Sequence, residues 1–314
     1  MHLAILSAVA LLLREADVEQ LAGMSQVMDG LEAAMRELGE GSAQNQPRRR
    51  VFPPGGVLNV MFASWPGGGV SGFKAYTVAG GRARFLVTLY DLGGMPLALI
   101  EADRMGAVRT GAATGVAARR LARPGARTVA LIGTGWQART QAEALREGLE
   151  VAELRVFGRD PERRARFAEA VGGKAAPSAE AAVRGADVVV TMTTSAEPVL
   201  EAAWVEPEAL VVAAGSNFPN RAELPAELLR SARAVVVDQL ETARLESGDL
   251  LRAGYDLDST LELGAVLAGK AAVPSGSGPL VVESHGLAIW DLAAGKVVLE
   301  AARARGAGEE VRLF

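Results

Sequence analysis

The chain contains no cysteine, which excludes disulfides, thiolate metal ligands and cysteine nucleophiles. Histidine is almost absent too. His2 and His285 are too few for a multi-histidine site, so no metal is expected. Lysine is scarce beside arginine. Only Lys74, Lys174, Lys270 and Lys296 occur, so a lysine at a special position draws notice. No apolar run reaches membrane-spanning length. The opening stretch, Met1 to Leu13, is too short to cross a bilayer. It also lacks the basic start and cleavage site of a secretory signal. Leu11 to Leu13 read as the start of a strand or an apolar lead-in to a helix. The net charge of -4 gives no reason to expect nucleic acid as a partner. These absences together predict a cytoplasmic protein with no membrane partner.

What is present suits two domains with large cores: 314 residues, 49% hydrophobic and 22% charged. The organising stretch is Val129 to Ala138. Four apolar residues, Val129 to Ile132, read as a parallel strand buried on both faces. They run into Gly133-x-Gly135-x-x-Ala138 and then a helical pattern through Leu145. The first glycine permits a tight turn, the second lets backbone approach a pyrophosphate, and the small third position lets helix and strand pack. The N–H groups of the helix start favour the same anion. A tight turn with no cofactor is the plainer alternative, but a second strand, Leu154 to Phe157, follows at the spacing a dinucleotide fold requires.

Before this motif, residues 14 to 38 have helical periodicity, with Val18, Leu21, Met24, Val27, Met28, Leu31 and Met35 near one face. Gly39 to Gln46 reads as a loop. Strands are expected at Val57 to Ala63, Ser71 to Tyr76 (carrying Lys74), Phe85 to Tyr90 and Met95 to Ile100. The last two are joined by Asp91-Leu92-Gly93-Gly94, a hairpin signal. A mostly antiparallel sheet with a flanking helix results. Met105 to Leu121 is helical, and around Arg109-Thr110-Gly111 its small residues admit either a neighbouring helix or a cofactor phosphate.

Beyond the motif, strands at Asp187 to Met192, Leu210 to Ala214, Ala234 to Val237 and Leu280 to Val282 alternate with helices at Pro161 to Val171, Ala179 to Arg184 and Glu223 to Ser231. A last helix spans Leu287 to Arg305. This alternation predicts a mostly parallel sheet. Thr193, Thr194 and Ser195 follow a strand, where hydroxyls face the ligand crevice of a doubly wound fold. The second strand ends at Gly158-Arg159-Asp160. An arginine there favours the extra phosphate of NADP, whereas an acidic residue would bind the ribose of NAD. Asp160 precedes Pro161 and fits a helix N-cap, so NADP(H) is preferred and NAD(H) is the alternative.

In order and spacing these segments resemble the ornithine cyclodeaminase/mu-crystallin family. The pieces are Gly72-Phe73-Lys74, Arg109-Thr110-Gly111-Ala112, Gly133-Thr134-Gly135-Trp136-Gln137-Ala138, Thr193-Thr194-Ser195, Gly215-Ser216-Asn217 and Arg221-Ala222-Glu223-Leu224. Val237-Asp238 and Ser284-His285-Gly286-Leu287-Ala288 with Asp291 complete the set. The resemblance implies an α/β homodimer. Residues 1–123 and 300–314 would form an α+β substrate and dimerisation domain, and 124–299 an inserted Rossmann domain. It also implies nicotinamide-dependent chemistry at the Cα of amino acids and their imines.

By the same resemblance, Arg49, Lys74 and Arg109 surround the substrate carboxylate, with Arg48 and Arg50 flanking the first position. A forked guanidinium and a second cation suit that task. A lysine with a lowered pKa is also a proton donor for an imine nitrogen. Arg109, Thr110, Gly133, Gly135, Trp136, Gln137, Ala138, Arg159, Thr193, Thr194, Ser195, Ser284 and His285 are assigned to the cofactor. His285 fits either an acid/base beside the nicotinamide or a packed edge residue.

One departure counts. Asn217 stands where cyclodeaminases carry an aspartate, and an amide cannot serve as a carboxylate base. Asn217 is therefore expected to orient substrate without proton transfer, which turns the expected reaction towards reduction of small α-imino acids. The alternatives are an ornithine cyclodeaminase or L-amino-acid dehydrogenase, and a non-catalytic NADPH- or small-molecule-binding protein.

Overall fold

The computed structural model describes residues 9–313. His2 and the first residues of the apolar opening lie outside them. In chain order the elements are β1 (Val9–Leu13), α1 (Glu15–Leu21), α2 (Met24–Glu40), β2 (Gln44–Val51), β3 (Gly56–Trp65), β4 (Val70–Ala79), β5 (Arg82–Asp91), β6 (Pro96–Glu101), α3 (Asp103–Leu121), β7 (Thr128–Ile132), α4 (Ala138–Gly148), β8 (Glu153–Phe157) and α5 (Pro161–Ala170). They continue with β9 (Lys174–Ala175), α6 (Ala179–Val183), β10 (Val188–Thr191), β11 (Leu210–Ala213), α7 (Ala226–Ser231), β12 (Ala234–Val237), α8 (Leu240–Glu246), α9 (Gly248–Ala253), β13 (Leu261–Glu262), α10 (Leu263–Leu267), β14 (Leu280–Glu283), α11 (Ala288–Arg305) and β15 (Glu309–Arg312).

The chain divides into two compact units, one of residues 1–109 with 287–314 and the other of 110–286. The boundaries expected at 123/124 and 299/300 thus lie at 109/110 and 286/287. The reason is α11, which is buried on nearly every face from Ala288 to Leu299 and packs on α2 and on β2 to β5. A helix buried all round belongs to a core rather than a surface.

In the first unit the strands run in the order β15-β1-β6-β5-β4-β3-β2. Every pairing is antiparallel except that of β1 with β6. One face of this sheet carries Met61, Ala63, Val87, Leu89, Ala98 and Ile100, all buried. Gly295 of α11 lies on that face, where a Cβ would stand 3.3 Å from both Leu89 and Ile100. The periodicity of residues 14 to 38 resolves into two helices. They are broken at Gly23, and all seven residues of the apolar stripe are buried. Gly41, at φ +86°, ends α2, so β2 begins within the stretch expected to be loop.

The second unit holds an eight-stranded sheet in the order β13-β12-β14-β11-β10-β7-β8-β9, parallel throughout. β10, β11, β12 and β14 are buried at every residue, as strands covered on both faces must be. The chain winds from β7 through β8 to β9, then returns to place β10 on the other side of β7. That reversal is a switch point, and ligands of doubly wound sheets bind outside the strand ends there. Glu223, expected to open a helix, lies before α7, which starts only after Pro225. Among the described residues no helix is long and apolar enough to cross a membrane.

Candidate active site

At the switch point β7 ends in Gly133, whose φ of +130° is a glycine conformation. A Cβ there would stand 2.1 Å from the carbonyl oxygen of Met192, so the turn crosses directly against the end of β10. The Gly133 N–H donates to the Phe157 carbonyl at 2.8 Å, which fixes the turn to the end of β8 as well. At Gly135 no atom stands within 4 Å of where a Cβ would be, so that side of the turn is open.

A cavity of about 830 Å³ lies here. It is lined by the 133–137 turn, Arg159, Arg163, Thr193 to Ser195 and Gly215. That is the size of a cofactor pocket. Gln137, the N-cap of α4, gives its helix no side-chain cap, and a helix start without one suits an external anion. Ala138 is fully buried in its packing role, and Trp136 is exposed at the rim. The open glycine cradle, the uncapped helix start and the cavity fit a dinucleotide.

At the end of β8 the Asp160 side chain accepts the N–H of Arg163 at 2.8 Å, capping α5. Its carboxylate is therefore engaged by the backbone. Arg163 donates through Nε to the carbonyl of Thr134 at 3.0 Å, and Arg159 lies exposed along the cavity. Both cations line this end, and no other carboxylate does.

The first unit contains a buried charge cluster. Lys74 on β4 donates from Nζ to Oδ1 of Asp291 on α11 at 2.9 Å, and Nε of Arg109 on α3 donates to the same oxygen at 3.1 Å. Asp291 is fully buried, and its Oδ2 has no hydrogen-bond partner among the described residues. Burial lowers the Lys74 pKa to about 8; Asp291 opposes that shift, and the charges of Arg109 and Arg48 add to it. Nζ also sits 5.0 Å from the ring centroid of Phe85 and 5.9 Å from that of Tyr76. A Cβ at Gly106 would come within 3.2 Å of it. The lysine is thus an ammonium poised to lose its proton near neutral pH.

Arg49 does not join this cluster. It pairs across β2 and β3 with Val60, whereas Lys74 pairs with Met61, so the two point to opposite faces. Arg49 is exposed and Arg48 buried. The cause is a register shift between Gln46 and Arg49, which turns Arg48 inward despite the strand's simple alternation.

His285, at the end of β14, is buried beside two carboxylates. Its Nδ1 lies 3.2 Å from Oδ1 of Asp238 and its Nε2 3.5 Å from Oε2 of Glu283, all three residues buried. Burial acts to lower its pKa, but the Asp238 and Glu283 carboxylates outweigh that and raise it to about 10. Asp238 Oδ2 also accepts the N–H groups of His285 and Gly286. Through these contacts His285 and Asp238 tie the end of β12 to the end of β14.

The profile of the ornithine cyclodeaminase/mu-crystallin family matches residues 8–306. The chain belongs to that family. It is 33% identical to the ketimine reductase mu-crystallin of Mus musculus over 93% of this chain and 97% of that protein. An archaeal alanine dehydrogenase, solved as a dimer with bound NAD, matches with a TM-score of 0.90 and 32% identity over 98% of this chain and 100% of that one. The Delta(1)-pyrroline-2-carboxylate reductase of Thermococcus litoralis, solved with NADH and L-proline, matches with a TM-score of 0.88 and 29% identity, covering 96% and 100%. Family members are NAD(P)-dependent oxidoreductases acting on C=N bonds, with cyclodeaminases as related members.

Within the second unit, Gly133, Gly135, Trp136, Gln137, Arg159, Thr193, Thr194 and Ser195 come together on the cavity. Thr110, Asn217, Ser284 and His285 are off its lining. Asp291 entered the sequence reading only as part of a motif, and its role as shared acceptor required the fold. Its signal was its place three residues beyond Ala288, one helical turn into an apolar helix, where a carboxylate is out of pattern.

Proposed function

We propose that this protein is an NADPH-dependent reductase of the C=N bond of small α-imino acids and cyclic ketimines of the pyrroline-2-carboxylate type, with NADH as the weaker cofactor. The observation that carries the reading is the Lys74–Asp291–Arg109 cluster. It offers a guanidinium for a carboxylate beside an ammonium with a pKa of about 8. The second unit holds the dinucleotide, with its pyrophosphate against the glycine turn and the start of α4. Arg159 takes the 2′-phosphate, a preference supported by the withdrawal of Asp160 into its N-cap.

When bound, the reduced cofactor supplies the hydride that adds to the imine carbon. Arg109 and Arg48 hold the substrate carboxylate. Lys74 gives its proton to the nitrogen, so that the double bond becomes a CH–NH single bond. Asp291 keeps Lys74 charged and aimed. Asn217 orients substrate without accepting a proton. The protein works as a cytoplasmic homodimer, with the first unit binding substrate and forming the dimer contact.

The amide at Asn217 weighs against cyclodeamination. The intact lysine cluster weighs against a protein that only binds, since binding a carboxylate requires no shared buried aspartate. The test is NADPH and NADH oxidation with a panel of cyclic and linear α-imino acids. Turnover with a cyclic imino acid, faster with NADPH, is expected. Turnover of L-amino acids with ammonia release and no imine reduction would refute the reading.

A further inference from the structure

Glu223 belongs to none of the groups that line the cavity, yet it is fully buried and makes four hydrogen bonds to segments that do or that lead into them. Oε1 accepts the backbone N–H of Thr193 at 2.7 Å and its hydroxyl at 2.6 Å. Oε2 accepts the backbone N–H of Gly215 at 2.8 Å and the hydroxyl of Thr191 at 3.0 Å. One carboxylate therefore ties the end of β10 to the end of β11, beside the turn at Gly133. The two strand ends meet so closely that a Cβ on Gly215 would lie 2.4 Å from Thr193 N and 2.6 Å from Oε1 of Glu223.

The glutamate is itself held from behind. Its own N–H and that of Leu224 donate to Oδ1 of Asp249 at 2.7 and 2.6 Å. At the far end of the same lining segment, Glu223 O accepts the N–H of Val199 at 2.9 Å, so the 193–199 loop is anchored at both ends to one residue.

We propose that Glu223 is the positioning residue of the cofactor cavity. It holds the Thr193–Ser195 hydroxyls and the Gly215–Asn217 segment in the register that receives the nicotinamide half of the dinucleotide. The inference rests on the nucleotide reading of the cavity and deepens it. The chemistry calls for a carboxylate. A backbone N–H can only donate, and one falls on each oxygen, so both must be acceptors. Glutamine places an NH₂ donor against one of those N–H groups whichever way it turns, and leaves a buried donor unpaired.

The test compares wild type with Glu223→Gln by NADPH and NADH fluorescence titration, steady-state KM values and thermal unfolding. A buried donor without its acceptor corresponds to a change of about ten- to hundredfold in an equilibrium constant. Expected is a cofactor Kd raised about tenfold or more, with KM for the imino acid nearly unchanged. A residue that merely stabilises the fold would lower the melting temperature and leave Kd within twofold of wild type, and that result overturns the inference. Should Glu223→Gln fail to fold, Thr191→Val removes one of the four bonds at a residue outside the cavity. It should raise Kd about threefold, and an unchanged Kd would again overturn the inference. No binding of either nucleotide by wild type would overturn the nucleotide reading and this inference with it. Binding by wild type with unaltered variants overturns the inference alone.

Discussion

Replacing Asp291 with asparagine should move the alkaline limb of the reductase pH profile to lower pH. In the free protein Lys74 is pulled down by burial to about 8, with Asp291 as the one group opposing that shift through both charge and hydrogen bond. A hydrogen bond to a charged partner is worth about 1.5–3 kcal/mol, and one pH unit corresponds to about 1.4 kcal/mol. Losing the Asp291 charge should therefore lower Lys74 by about one to two pH units. Proton donation needs the ammonium, so kcat/KM falls as pH rises through this pKa. The limb should stand near 8 in wild type and near 6 to 7 in Asp291→Asn. The assay is kcat/KM for one cyclic imino acid at saturating NADPH from pH 5.5 to 9.5, with both proteins on the same substrate so that its own titration cancels. An alkaline limb at the same pH in both proteins, or a rate that rises with pH, would refute the assignment of Lys74 as the proton donor under the control of Asp291.

Three further outcomes follow from the same geometry. Arg48→Ala should raise KM for the imino acid about ten- to hundredfold, the worth of a charge-assisted contact. Arg49→Ala, whose side chain points to the opposite face, should change it less than twofold; equal effects would contradict the register seen in β2 and β3. Arg159→Ala should weaken NADPH binding about ten- to hundredfold in a titration and leave NADH nearly unaffected, since only the former carries the 2′-phosphate. His285→Gln should cost about 3–5 kcal/mol of folding stability by removing the positive charge between the buried carboxylates of Asp238 and Glu283. The His285 pKa is about 10 folded against 6.5 unfolded, so its stabilisation is complete below about pH 6.5 and is lost as pH rises towards 10. Urea unfolding should therefore show a larger loss at pH 6 than at pH 9.

What the sequence revealed and what it hid divide along physical lines. Val129–Ile132, Leu210–Ala213 and Ala234–Val237 are apolar without alternation because both faces are covered, and such strands announce themselves. The glycine turn was equally plain, because no other residue fits against Met192. Arg48 was hidden by a register shift beside Pro47, where counting alternate residues fails. By the family resemblance, with the inserted domain bounded at 124–299, helix α11 was expected to belong mostly with the dinucleotide unit. Its membership of the other unit is decided by what covers Ala288 to Leu299. Asp291, His285 and Glu223 took much of their meaning from Lys74, Asp238 and Thr191, which lie 217, 47 and 32 residues away in sequence, separations that no local pattern spans. The short helices α8 and α9 carry too little periodicity to stand out.

The proposed reaction is hydride transfer to the Cα of an imino acid, with the Lys74 cluster supplying the proton. Its most direct test is the reaction of a cyclic α-imino acid with NADPH deuterated at the transferable C4 position, followed by NMR of the amino-acid product. One deuterium at Cα and solvent hydrogen on nitrogen are expected, with turnover reduced about a hundredfold or more in Lys74→Met. Product without deuterium at Cα, or full turnover by Lys74→Met, would contradict it.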